Sequence, residues 1–146
     1  MYATILVALD GSQREPDVLR TAVTLAAKFG ARLHACRAVA RPVGIPDTLL
    51  AMAAGGLDHA LLADAEQAIA ARVASTDVAV TDTHVRIGQP ADVVLDVAEE
   101  IGAELLVIGA HGYGPIERVM GTTASKIVHR AHCSVLVSRS GQPPTA

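Results

Sequence analysis

Glu104-Leu-Leu-Val-Ile-Gly-Ala-His-Gly-Tyr-Gly-Pro-Ile-Glu-Arg-Val-Met-Gly-Thr-Thr123 leaves an apolar strand, crosses a glycine-rich loop and enters the start of a helix. Strand, loop and helix in that order form the repeating unit of a parallel α/β sheet. Gly109, Gly112, Gly114 and Gly121 are expected to take backbone angles closed to other residues and to let a ligand approach the main chain. A helix opening near Gly121 leaves N–H groups without an intrahelical acceptor, and such a start attracts phosphate. Glycines after a strand can also do no more than turn the chain. Thr122 and Thr123 at the helix start, added to the glycines before them, favour the anion-binding reading.

The same alternation extends outward in both directions. Ala3 to Leu9 is apolar almost throughout, as a central strand covered on both faces requires, and it ends at Asp10-Gly11-Ser12. Val18, Ala22, Leu25, Ala26 and Phe29 then recur at helical spacing, with Ser12 and Glu15 placed as a capping box, Pro16 in the first turn and Gly30 as the stop. Arg32 to Val39 reads as a second strand. Ala40 to Gly56, with Pro42, Gly44, Pro46 and Gly55-Gly56, reads as a loop that at most includes a short helical turn. The next helix is expected from Leu57, with the stripe Leu61, Leu62, Ala65, Ile69 and Val73. Val78 to Ile87 is a third strand, and Pro90 opens a helix whose stripe is Ala91, Val94, Leu95, Ala98 and Ile101, closed by Gly102. After the glycine loop, Thr122 to His132 is a helix with Ala124, Ile127, Val128 and Ala131 inward. Ser134 to Ser138 is a fifth strand before a Gly-Pro-rich tail.

Five strands joined by helical crossovers, right-handed as such connections are, predict a doubly wound parallel sheet with helices on both faces. With strand order 3-2-1-4-5, Asp10 at the end of the first strand faces Gly109 at the end of the fourth. Ligands of such sheets sit where the winding reverses. That geometry suits a nucleotide: loop amides and the helix start hold phosphates, while Asp10 accepts from ribose hydroxyls or holds a Mg²⁺ that bridges to phosphate oxygens. Asp10 also has a plain reading as the cap of its own turn.

Length and composition narrow the classes. The chain has 146 residues and 51% hydrophobic content, enough for one core and one domain. A net charge of −3, no Trp and scattered basic residues give no footprint for nucleic acid. Two distant cysteines, Cys36 and Cys133, suggest a reducing compartment. The opening lacks the pattern of a signal or membrane segment, so a cytoplasmic protein is expected. His129, His132 and Cys133 resemble a metal set by composition but read as a helix-to-strand junction without a fourth ligand. The phosphate-loop lysine motif is absent, and phosphoryl transfer needs a positioned nucleophile and several cations.

Three stretches together resemble the universal stress protein family over Ile5 to Arg139. They are I-L-V-A-L-D-G-S, G-Q-P-A-D-V-V-L-D-V-A-E-E-I-G-A-E-L-L-V-I-G-A-H-G and G-T-T-A-S-K-I-V-H-R-A-H-C-S-V-L-V. The resemblance implies a nucleotide-binding domain over residues 1–139 with a flexible tail at 140–146, a stress-response role and ATP as ligand, with Mg²⁺ at Asp10. It sets Ala8 and Leu9 against the base and Val39 where its main chain meets adenine. It places Gly109, His111 and Gly112, with Ile108 before them, around the first phosphate turn, and Gly121, Thr122 and Thr123 around the terminal phosphates. It further implies a homodimer paired through the last strand at Val135, Leu136 and Val137. Between Gly112 and Gly121 lie eight residues, Tyr113 to Met120, one fewer than the ATP-binding branch of the family carries. Three functions fit: a nucleotide-binding signalling module, a weak Mg²⁺-dependent ATPase at the same site, and a dimeric interaction protein that binds no nucleotide.

Overall fold

Ile5, Leu6 and Val7 have no exposed surface, and a strand that is apolar on both faces belongs in the middle of a sheet covered on both sides. In the computed structural model, which describes residues 1–41, 44–110 and 121–139, this strand is β1 (Thr4–Ala8). It pairs in parallel with β2 (Arg32–Val39) on one side and β4 (Leu105–Gly109) on the other. β3 (Val80–Ile87) and β5 (Ser134–Ser138) complete an all-parallel sheet of the expected order, β3-β2-β1-β4-β5.

Side chains of a strand alternate between faces, and the core divides accordingly. Ile5, Val7 and Leu9 pack with Val18, Leu19, Ala22 and Ala26 of α1 (Glu15–Phe29) and Ile69 of α2 (Asp47–Ala74). On the opposite face Leu6, Cys36, Leu106 and Ile108 pack with α3 (Pro90–Ile101) and with Ala124 and Ile127 of α4 (Thr122–Arg130). Burial pushes the Cys36 thiol up to about 12, so it behaves as a small apolar residue. α1 and α3 end at Gly30 and Gly102, both at φ 64, the left-handed stop that glycine takes without penalty. Among the described residues no helix is long and apolar enough to cross a membrane.

The helices depart from the sequence reading in several places, and α4 ends at Arg130 and not at His132. α2 begins at Asp47 and not at Leu57. Leu49, Leu50, Ala51, Met52, Ala53 and Ala54 are strong helix formers, and together they outweigh Gly55 and Gly56, each of which costs about 1 kcal/mol. Val128, expected to face inward, is 40% exposed, because the buried side of α4 consists of Ala124 and Ile127 and the helix packs on α3. α3 buries a broader stripe than expected, adding Val93 and Val97, since it packs over both β1 and β2.

β2 and β3 also bring two imidazoles together: His34 Nδ1 lies 3.3 Å from His84 Nε2, with ring centroids 5.5 Å apart. The His34 pKa lies below the ordinary histidine value, first because of burial and then because of the His84 charge; Arg32 acts in the same direction and Asp82 opposes it. A folded-state value below the unfolded one favours the neutral ring. Its stabilising contribution is therefore present above about pH 6.5 and is lost as the pH falls through the folded value. Urea unfolding at about pH 7.5 and about pH 5.5 is expected to show lower stability at the acid end. His34→Asn should flatten that slope.

Candidate functional site

β1 and β4 are neighbours, yet the chain leaves β1 for α1 on one face and leaves β4 towards α4 on the other. Among the described residues no crossover covers the gap above their carboxyl ends, the place where doubly wound sheets bind ligands. A crevice of about 450 Å³ opens there, within the range of small-molecule sites. Ala8, Ala38 and Ile108 at the strand ends and Val94, Ala124 and Ile127 from the helices make an apolar wall. Asp10, Gly11 and Ser12 border one side, and Gly109, Gly121, Thr122 and Thr123 the other.

The Asp10 turn is fixed by its own polar groups. Asp10 Oδ1 accepts the Ser12 N–H at 2.9 Å, an Asx turn at the rim of the crevice. Gly11 sits at φ 75, a conformation that other residues adopt only at a cost. The expected capping box does not form. Ser12 Oγ accepts the Arg14 N–H at 3.3 Å, and the Glu15 carboxylate reaches past Ser12 to accept the Gly11 N–H. The helix starts two residues later than a box would need, because its N-cap is Arg14 and not Ser12. Glu15 also accepts from Arg72 Nε at 3.1 Å and is only 4% exposed.

On the far side, Gly121 is the N-cap of α4 with φ −61 and ψ 162. The main-chain bond from Ser125 N–H to the Gly121 carbonyl, 2.9 Å, opens the helical ladder. The amides of Thr122, Thr123 and Ala124 precede it and have no intrahelical acceptor. Gly109 and Gly121 do not use the backbone freedom expected of them: neither has a positive φ. Gly109 lies close to α1: a Cβ there would be 3.2 Å from Val18 Cγ2, which would have to give by a few tenths of an ångström. Arg14 Nη1 donates to the Ala110 carbonyl at 3.4 Å, and the Ala110 N–H donates to Ser138 at 3.1 Å, which ties the exit of β4 to α1 and β5.

Of the residues expected at the site, Ala8, Leu9, Asp10, Ile108, Gly109, Gly121, Thr122 and Thr123 converge on the crevice. Leu9 is nevertheless 3% exposed, with its side chain in the α1 core. Val39 is not among the lining residues; its neighbour Ala38 is, and the Val39 carbonyl accepts the Gly88 N–H at 3.1 Å. His111, Gly112 and Gly114 lie outside the described residues, as does the 140–146 tail. Sequence reading missed Gly11, Ser12, Ala38, Pro90, Val94, Ala124 and Ile127. Val94, Ala124 and Ile127 were identified as core stripe, and the signal was there: the first turn of a stripe entering from a strand overhangs the sheet edge.

Comparison with known proteins gives one answer. Residues 1–139 match the universal stress protein family. A universal stress protein of Thermus aquaticus is 33% identical, the match covering 95% of this chain and all 100% of the relative. The solved universal stress protein UspA from Lactobacillus plantarum is 30% identical with a TM-score of 0.77, covering 93% of this chain and 97% of that one. A universal stress protein solved in complex with cAMP shares the fold at 24% identity and a TM-score of 0.60, covering 96% of this chain and 98% of its own.

A test of the turn follows from Gly11. A Cβ at this position would lie 2.5 Å from Arg37 Nη2, but that flexible end can swing aside, so the cost of Gly11→Ala is mainly backbone strain of about 1–2 kcal/mol. Urea unfolding should show that loss, and Arg37→Ala in the same chain should recover little of it.

Proposed function

This chain belongs to the universal stress protein family, and from that premise we propose that its crevice binds an adenine nucleotide, ATP in the first instance, as a signalling module. The observation that carries the reading is the convergence on one space of an apolar wall, a carboxylate turn and an uncapped helix start. Ala8, Ala38, Val94 and Ile108 form an apolar slot suited to a base. Asp10 is placed for ribose hydroxyls or for a Mg²⁺ carried with the phosphates, since one carboxylate, phosphate oxygens and waters are a common magnesium set. The amides of Thr122 and Thr123 offer main-chain donors and the positive end of the α4 dipole to a phosphate. A relative solved with cAMP supports an adenine ligand for this fold. Asp10 is the one charged side chain on the described lining, an arrangement better matched to holding a nucleotide than to transferring its phosphate.

Homodimerisation through β5 belongs to the same reading. β5 ends the sheet, so one of its main-chain edges has no neighbouring strand among the described residues, and Val135, Leu136 and Val137 are half-buried. Such an edge is a template for a second copy.

Thermal unfolding with ATP and Mg²⁺ tests the binding. A ligand at 100 times its Kd adds about 2.7 kcal/mol, which for a domain of this size raises Tm by roughly 5–11 °C. Asp10→Ala is expected to weaken binding about tenfold to a hundredfold, the effect of losing a hydrogen bond to a charged group. Gly121→Val should obstruct the phosphate approach while the fold survives, because φ −61 and ψ 162 suit valine. The reading is lost if the native chain shows no shift, or if both variants bind ATP as it does. Sedimentation equilibrium at micromolar concentration checks the dimer, and a monomer there removes it.

A further inference from the structure

Glu15 is the single buried charged side chain among the described residues, and both of its oxygens are engaged. One accepts the Gly11 N–H inside the crevice turn; the other accepts from Arg72 Nε, 3.1 Å away in the last turn of α2. A carboxylate removed from water and left without its cation is strongly destabilising. The seat of Arg72 and the position of Gly11 are therefore linked through one group. Gly11 follows Asp10 directly, and its positive φ sets the direction of the turn. The rest of this end of α2 is held by apolar contact: Ala65 and Ile69 are buried, and Val73 is partly so. The helix has a second ion pair, Arg41 with Asp58 at 2.8 and 3.1 Å, which is more exposed and involves no crevice residue.

We propose that Glu15 is a positioning residue that ties the Asp10–Ser12 turn to the last turn of α2 through Arg72, so that ligand affinity and the seating of α2 are coupled. The inference rests on the nucleotide reading of the crevice and adds a route from that site to the surface of the α1 and α2 layer. Coupling of this kind is reciprocal. A ligand that steadies the turn steadies the end of α2, and whatever displaces α2 loosens the turn.

Calorimetric titration with ATP and Mg²⁺, combined with hydrogen exchange, tests it on the full chain. Arg72→Ala should weaken ATP binding at least about tenfold and speed exchange at the Gly11 amide, although Arg72 does not line the crevice. Arg72→Lys should recover part of the affinity. Glu15→Gln combined with Arg72→Ala should bind better than Arg72→Ala alone, because no unpaired buried charge then remains. Asp58→Ala should bind as the native chain does. In the native protein ATP should slow exchange at Arg72, Val73 and Ala74, and that protection should vanish in Arg72→Ala. Native affinity in Arg72→Ala with only a lower Tm overturns the coupling and leaves the nucleotide reading intact. A native chain that binds neither ATP, AMP nor cAMP overturns that reading and the coupling to it. Exchange at Gly11 in Arg72→Ala then reports separately on the tie, and an unchanged rate removes that as well.

Discussion

The parallel pairing of β1 with β4 is the constraint on which the other features depend. Each of these strands is saturated with hydrogen bonds on both edges and covered on both faces, so neither can shift without exposing Leu6, Val7 or Leu106. The connections leave them on opposite faces, which opens a gap above their ends that no crossover closes among the described residues. The crevice is thus a consequence of topology, and its floor is the rigid centre of the sheet. Its apolar wall is shared with the core, and its polar groups lie outside the core.

Those groups come from two turns built in different ways. At the end of β1 the chain turns tightly through Gly11, and the turn is held from behind by a buried carboxylate. Past the glycine loop, the opening of α4 relies on the ordinary feature of any helix start, amides without an intrahelical acceptor. Gly109 and Gly121 contribute by being small, one beside Val18 and the other beside the crevice, and not by adopting unusual angles. One side is therefore pinned by side chains, while the other presents bare main chain.

Much of this was legible in the residues. Alternating β-branched runs and helical stripes specified five parallel strands with helical crossovers, and the two glycine stops at Gly30 and Gly102 fell where expected. The start of α2 was not legible, because a loop reading drawn from Pro42, Gly44 and the glycine pair discounted the alanine and leucine between them. Most of the candidate site could be read from residues at strand ends, such as Asp10, Ile108 and Gly109. Ala38 and Val94 were missed, Ala38 because the end of the second strand was read at Val39, and Val94 because its stripe was read for the core alone. Val39, whose main chain was expected to meet the base, does end β2, and it is the neighbouring Ala38 that lines the crevice.

The sequence by itself determined the periodicities, the positions of the helix stops and the chemistry available at each turn, because these follow from interactions between residues close along the chain. Only the tertiary structure decided that Glu15 would abandon the capping role its spacing suggested and join Gly11 to Arg72. Residues 15 and 72 lie far apart in sequence, and only after α1 and α2 have packed on the same face does burial force that carboxylate to take a distant cation as its partner.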